Sequence, residues 1–126
     1  MKKIISSNKA PAAIGPYSQA VLNNGTLYCS GQIAINPENG ELIIDNIEDE
    51  TIQVMTNISE ILSEINMDFS NIVKCTIYMK DMNEYSKINK IYSSFFDKNP
   101  PAREAIEVSK LPMNVNVEIS VIAVQK

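Results

Sequence analysis

The chain has 126 residues, a formal net charge of −4, no histidine and a single arginine. This length predicts one domain with a substantial core, spanning residues 1–126. The absence of histidine excludes histidine-dependent triads, HExxH metal sites and most zinc sites, which leaves carboxylate, tyrosine, thiol, lysine and backbone groups for any chemistry. The acidic charge and the scattered lysines disfavour general binding to nucleic acid.

The cysteines and the N-terminal residues indicate a compartment. Cys29 and Cys75 fall in separate apolar segments, without thiol or imidazole neighbours that would complete a metal site. They are predicted to be buried free thiols of a reducing compartment. The basic residues at the start are not followed by a long apolar segment, so neither a signal peptide nor a membrane span is predicted and the expected location is the cytosol.

The first three predicted strands include a hairpin. Residues 3–6 form a short edge strand, and residues 17–22 and 26–35 pair around an Asn-Asn-Gly turn that supplies positive φ angles. The second strand of the hairpin contains Ser30 and Gly31. A glycine inside a strand predicts a bulge or a close approach to the backbone.

An amphipathic helix and a half-buried strand follow. The helix is predicted at residues 49–66, because its apolar residues recur at spacings of three and four. These residues are Ile52, Met55, Ile58, Ile61, Leu62 and Ile65. The strand at residues 71–80 alternates, with one set of apolar side chains on a single face. This set is Val73, Cys75, Ile77 and Met79.

A second helix is predicted to begin with a capping box formed by Asp81 and Glu84 and to end near residue 97, before two prolines. Its apolar stripe is Tyr85, Ile88, Ile91, Tyr92, Phe95 and Phe96. Asn89 lies on the same side of this helix as the two tyrosines.

Two strands, at residues 102–108 and 115–124, complete the chain. The predicted order is βββαβαββ, a mixed sheet of the α/β (α+β) class that two helices cover on one face. The inner strands are apolar on both sides. We therefore expect the other face to be buried against a second copy of the chain, in a closed homo-oligomer.

Arg103 and Glu118 lie in these last two strands and are the main candidates for chemistry. A carboxylate in a covered strand must be paired, hydrogen-bonded or protonated, and each of these conditions also produces a general acid or base. The pattern allows the two charges to meet. It equally allows a structural role, in which Arg103 is the ion-pair partner of Glu118 or Glu107 and Glu118 is a satisfied buried carboxylate.

Four ordered blocks carry a resemblance to a known family. They are APAAIGPYSQAV at 10–21, SGQI at 30–33 with NPENGEL at 36–42, NKIYSSFF at 89–96, and PAR at 101–103 with Val108, Leu111-Pro112 and VEI at 117–119. In these blocks, which span nearly the whole length, the chain resembles the YjgF/RidA family of imine deaminases, also called reactive intermediate deaminase A.

The resemblance implies a chorismate-mutase-like fold and a homotrimer with a central barrel and small-molecule sites between subunits. It implies hydrolysis of 2-imino acids, such as 2-iminobutanoate and 2-iminopropanoate, to 2-oxo acids and ammonia. Arg103 would hold the substrate carboxylate through two parallel hydrogen bonds, and Glu118 would protonate the imine nitrogen and orient or deprotonate a water. Because free imines already hydrolyse readily, these groups can suffice without a metal or an organic cofactor.

Other positions of the family site match Tyr17, Ser30, Gly31 and Asn89. A bulge at Ser30 and Gly31 would offer backbone groups to a small polar ligand, and the Tyr17 hydroxyl and the Asn89 amide add hydrogen-bonding capacity. Tyrosine hydroxyls and helix asparagines also have ordinary structural uses.

Three positions depart from the family pattern and bear on substrate preference. Ala105 stands where many members have a cysteine, which argues against a thiol-dependent step. Glu104 stands at a usually small position. It is expected to point away from Arg103, because neighbouring strand residues face opposite sides. Pro100 replaces a common aromatic residue.

Two other functions remain open. One is an endoribonuclease, an activity ascribed to some relatives, which the absence of histidine and the negative charge disfavour. The other is a non-catalytic regulatory trimer in which Arg103 binds 2-oxo acids without turnover.

Overall fold

The computed structural model describes all 126 residues and has the predicted βββαβαββ order. Its strands are β1 (Lys3–Ile5), β2 (Ala20–Asn23), β3 (Thr26–Gln32), β4 (Ile72–Met79), β5 (Ala102–Glu107) and β6 (Val117–Val124). Its helices are α1 (Ile47–Ser63) and α2 (Tyr85–Ser93), and short 3₁₀ turns span Phe69–Asn71, Met82–Glu84 and Pro112–Asn114. The strands form one sheet in the order β1-β2-β3-β6-β4-β5, in which only the β4–β5 pair is parallel.

Helices α1 and α2 contact each other and cover one face of this sheet, as predicted, and the main hydrophobic core lies between them and the strands. The other face is uncovered within the chain. It carries an apolar row in which Ile4, Val21, Tyr28 and Ile122 are register neighbours across four strands. Ile4 and Tyr28 are 53% and 50% exposed.

Neither helix has the length and apolar character needed to cross a membrane.

The β2–β3 hairpin turns at Asn24 and Gly25, whose φ angles of 50° and 78° confirm the predicted turn. Strand β2 begins at Ala20 rather than at residue 17. A tight turn, in which the Tyr17 N–H donates to the Gly15 carbonyl at 2.8 Å, keeps the preceding residues out of the sheet.

Strand β3 ends at Gln32, three residues before the predicted end. The cause lies on α1, where Asn57 Nδ2 donates to the carbonyl oxygens of Ile33 and Ile35 at 3.1 and 3.0 Å. These bonds occupy carbonyl groups that could have continued the ladder, and the chain beyond Gln32 pairs with residues 41–43 instead, where Ile35 bridges Leu42.

Helix α1 begins two residues earlier than predicted, because Asn46 caps it. The Asn46 Oδ1 accepts the Asp49 N–H at 2.8 Å. The helix ends at Ser63, shortly before Asn66 takes a left-handed φ of 58°. Its predicted apolar stripe packs into the core except at Ile52, which is 42% exposed.

Strand β4 buries Cys75, Ile77 and Met79 on one face, as predicted. Val73 was predicted to share that face, and this is wrong, since it is 45% exposed. A register shift between residues 72 and 74 interrupts the alternation at this point.

Helix α2 begins at Tyr85, after a 3₁₀ turn that Asp81 caps by accepting the Asn83 N–H at 2.9 Å. Glu84 makes no capping bond, so the predicted capping box is not formed. The helix ends at Ser93 rather than near residue 97. Phe95 and Phe96 lie beyond its end, and both rings pack against the ring of Phe69.

Candidate functional site

Strand register puts Arg103 and Glu118 on opposite faces of the sheet. On β4, Cys75 is the register partner of Arg103 and Tyr78 is the register partner of Glu118. Register partners share a face of the sheet, and successive residues along a strand alternate between its two faces. Cys75 and Tyr78 are three positions apart on β4, so they point to opposite faces. Arg103 therefore faces the helices and Glu118 faces the uncovered side. The two charges do not meet within one chain.

Neither residue belongs to a structural ion pair of the chain. The ion pair that does form joins Lys74 and Glu104 at 3.2 Å, and the Glu107 carboxylate accepts a backbone N–H instead. Glu104 also accepts the Thr76 hydroxyl at 3.0 Å, and the hydrogen bonds from Lys74 and Thr76 lower its pKa. Glu104 points away from Arg103, as the strand alternation predicted.

Helix α2 holds the Arg103 guanidinium in a fixed position. Nη1 donates to Asn89 Oδ1 at 2.7 Å, and Nη2 donates to the Tyr85 hydroxyl at 2.6 Å. Arg103 Cζ lies 4.9 Å from the centroid of the Tyr92 ring, a cation–π distance. The cleft beside Arg103 has a volume of about 630 Å³. The residues that line it are Asn89, Tyr92, Ser93, Phe96, Asp97, Pro100, Pro101 and Arg103.

Beneath the guanidinium lies an apolar layer with two weak acids. The Tyr92 hydroxyl is buried, and its polar neighbour is the Cys75 thiol. Burial raises the pKa of both groups, and it raises the pKa of Cys29 to about 12. Both cysteines are free and buried, as predicted. They remain protonated at neutral pH, which makes them poor nucleophiles.

The Glu118 side chain passes directly over the backbone of Gly31. A Cβ atom at residue 31 would stand 2.8 Å from Glu118 Cδ and would collide with Oε2, so only glycine leaves room for the carboxyl. Burial raises the pKa of Glu118, and no hydrogen bond to it from the chain offsets this. Tyr17, Gly31 and Glu118 line one cavity of about 60 Å³.

Ser30 and Gly31 form the predicted bulge, because the register of β3 against β6 shifts between Cys29 and Gln32. The Ser30 hydroxyl donates to the Ser18 carbonyl at 2.7 Å. This hydroxyl therefore ties the bulge to the segment before β2.

Buried polar residues that the sequence analysis missed hold the loops around this cavity. Gln19 donates to the Pro11 carbonyl at 2.7 Å and fixes the N-terminal loop. Glu50 on α1 is fully buried and accepts the backbone N–H groups of Asn116 and Val117 at 2.8 and 3.2 Å, which fixes the start of β6. A carboxylate on the apolar side of a predicted helix was the available signal for Glu50.

Tyr85 was predicted only as part of an apolar stripe. Its spacing of four residues from Asn89 and seven from Tyr92 puts all three on one side of α2, and this spacing could have identified a set of groups that receives a guanidinium. We call Arg103, Tyr85, Asn89 and Tyr92 the arginine half-site, and Glu118, Gly31 and Tyr17 the glutamate half-site.

The two half-sites have different chemical capacities. A guanidinium held at two nitrogens is oriented for a carboxylate ligand. A half-buried carboxyl with a raised pKa carries a proton at higher pH than an ordinary glutamate. No three acidic or cysteine side chains are grouped so that they could hold a metal ion.

The fold defines an α+β protein with a six-stranded sheet and two helices on one face, and Arg103 and Glu118 lie on opposite faces of that sheet. A family model described as Endoribonuclease L-PSP matches residues 7–125. The chain is 54% identical over 121 residues to "Putative regulator AldR" of Lactococcus lactis, covering 96% of each protein. It is 48% identical over 125 residues to the 2-iminobutanoate/2-iminopropanoate deaminase of Bos taurus, covering 99% of this chain and 91% of that protein.

A solved structure agrees with these relatives. E. coli TdcF with bound serine matches with a TM-score of 0.94 at 35% identity, over 98% of this chain and 99% of that one. The chain belongs to the YjgF/RidA family, as its sequence blocks predicted.

Proposed function

We propose that this protein hydrolyses 2-imino acids, such as 2-iminobutanoate and 2-iminopropanoate, to 2-oxo acids and ammonia. The observation that carries the proposal is a guanidinium fixed at two nitrogens, together with an unpartnered Glu118 carboxyl whose pKa burial raises. The bovine relative is named for this activity. The serine bound to TdcF is a small amino acid with a carboxylate like that of the proposed substrate.

The active site of this proposal is completed by a second copy of the chain. Arg103 and Glu118 face opposite sides of the sheet, so one chain cannot offer both to a small substrate. The uncovered apolar row through Tyr28 and Ile122 supports burial against another subunit. The proposed assembly is a homotrimer with a central barrel, in which the arginine half-site of one subunit meets the glutamate half-site of its neighbour.

The mechanism follows from the two half-sites. Arg103 binds the substrate carboxylate, which sets the C=N bond in position. The protonated Glu118 gives its proton to the imine nitrogen, and a water molecule adds to the C=N carbon while it loses a proton to the same carboxylate. Glu118, protonated again by that water, then gives its proton to the amino group of the resulting carbinolamine. The C–N bond breaks as the hydroxyl group returns a proton to the carboxylate, which releases ammonia and the 2-oxo acid. Burial favours this role, because the raised pKa keeps a larger protonated fraction of Glu118.

A coupled assay tests the proposal. A threonine dehydratase generates 2-iminobutanoate, and semicarbazide traps the imine that escapes hydrolysis. The wild-type protein should lower the trapped yield. Arg103→Ala should reduce kcat/KM by about 10²-fold or more, since it removes the carboxylate anchor, and Glu118→Gln by about 10²-fold.

Lys90→Ala is the matched control, because it removes an exposed cation of α2 next to Asn89 and should leave the activity unchanged. Wild-type protein that diverts no imine from semicarbazide would overturn the deaminase assignment.

A second candidate is a regulatory protein that binds 2-oxo acids without turnover. The name of the Lactococcus lactis relative favours it. Calorimetry that detects 2-oxobutanoate binding, combined with no imine hydrolysis, would select this candidate.

The family description also names an endoribonuclease. The absence of histidine and the net charge of −4 disfavour that chemistry here. Ribonuclease activity that is unchanged in Glu118→Ala would indicate a contaminant.

A further inference from the structure

We propose that Tyr85 is a positioning residue that orients the Arg103 guanidinium and thereby sets how tightly the protein holds small carboxylic acids, an inference that rests on the proposed function of the arginine half-site. The Tyr85 hydroxyl accepts from Nη2 at 2.6 Å, and Asn89 accepts from Nη1 at 2.7 Å. Because the two acceptors hold different nitrogens of one planar group, they prevent its rotation about the Nε–Cζ bond.

The groups that remain free define how a ligand approaches. A guanidinium has five N–H donors, and two are used here, which leaves Nε–H and one hydrogen on each Nη nitrogen. The Tyr92 ring covers one face at 4.9 Å, so an acid is directed to the open edge of the guanidinium plane. Fixing the guanidinium before the ligand binds lowers the conformational entropy lost on binding and so raises the affinity for the acid.

The surroundings of Tyr85 distinguish a role in orienting Arg103 from a role in stabilising the fold. It is the first residue of α2, it is 37% exposed, and its hydroxyl makes no hydrogen bond in the chain other than the one with Arg103. Its ring lies 5.6 Å from Arg103 Cζ, a contact that phenylalanine would preserve. Tyr85→Phe therefore removes one anchor of the guanidinium and little else.

The single arginine makes the first test direct. Protein labelled with ¹⁵N-arginine gives the guanidinium signals of Arg103 alone. Slow rotation of the guanidinium is expected in the wild type, with separate Nη signals, and faster exchange is expected in Tyr85→Phe. Ser86→Ala removes the neighbouring hydroxyl of α2, which has no partner on Arg103, and should match the wild type. Equal exchange rates in Tyr85→Phe and the wild type would overturn the proposal.

The second test connects this anchoring to binding. Calorimetry with 2-oxobutanoate should give a Kd about 5- to 20-fold higher for Tyr85→Phe than for the wild type, since a partly exposed hydrogen bond to a charged group is lost. KM in the imine assay should rise in parallel, while kcat stays within about twofold and the Tm is unchanged. Faster exchange with an unaltered Kd would also overturn the proposal.

These readouts distinguish the failure of this inference from failure of the proposed function. If 2-oxobutanoate neither bound the wild type nor shifted the Arg103 signals, the role of the arginine half-site in acid binding would be contradicted. The effect of Tyr85 on the affinity for small acids would be contradicted as well. The exchange comparison would still decide whether Tyr85 holds the guanidinium.

Discussion

The Glu118 side chain crosses β3 at Gly31, where an added methyl group would stand 2.8 Å from Glu118 Cδ. Gly31→Ala should therefore displace the carboxyl and lower kcat/KM for imine hydrolysis by about 10²-fold. Gly40→Ala is the control. Gly40 has a φ of 76°, and no atom lies within 4 Å of the added Cβ, so this variant should lose about 1 kcal/mol of stability and keep its activity. Full activity in Gly31→Ala would contradict the role given to Glu118.

The raised pKa of Glu118 also predicts how the stability of the protein depends on pH. Burial raises this pKa, so ionised Glu118 opposes folding, and the stability that its protonated form provides is lost as pH rises through the raised pKa. Glu118→Gln should thus raise the Tm by about 1 to 3 °C at pH 8, although it removes the proposed catalytic group. The gain should vanish near pH 4, where wild-type Glu118 is protonated. Thermal melts across this range check the sign, and a Tm that falls at pH 8 would contradict it.

At the scale of elements, α1 determines where β6 begins. Glu50 accepts three N–H donors, the backbone groups of Asn116 and Val117 and the Asn116 side chain. Glu50→Ala should leave these donors, which are buried at Val117 and partly buried at Asn116, without this partner and reduce the free energy of unfolding by about 2 to 4 kcal/mol. Urea denaturation measures the loss. Glu64→Ala, at the exposed end of the same helix, should change it by less than about 0.5 kcal/mol, and equal effects of the two variants would contradict the role of Glu50.

At the scale of the whole molecule, the opposite placement of the half-sites makes subunit exchange informative. Arg103→Ala and Glu118→Ala should each be inactive alone, because each destroys one half of every site. Co-expressed in equal amounts, they should recover about a quarter of the wild-type activity, since that fraction of interfaces pairs an intact arginine half-site with an intact glutamate half-site. Activity of the mixed oligomers, with mass measured in solution, checks this. Mixed trimers with no activity would contradict a site shared between subunits.

Much of the fold follows from local patterns. The Asn24-Gly25 turn, the bulge at Ser30 and Gly31, and the order of the eight elements were predicted because each depends on neighbouring residues and their periodicity. Element ends were predicted less well. Asn57 ends β3 through carbonyl groups 22 and 24 residues away, a contact that no local pattern reports.

The sequence by itself determined which residues could do chemistry, because a lone arginine, an acidic residue in an apolar strand and the absence of histidine are visible without coordinates. Only the tertiary structure decided on which face of the sheet each of these residues lies. The pairing of β4 with both β5 and β6 sets the faces of Arg103 and Glu118, and the docking of α2 brings Tyr85 to the guanidinium. The physical reason is that register between strands distant in sequence depends on packing across the whole sheet, and a shift of one residue exchanges its faces.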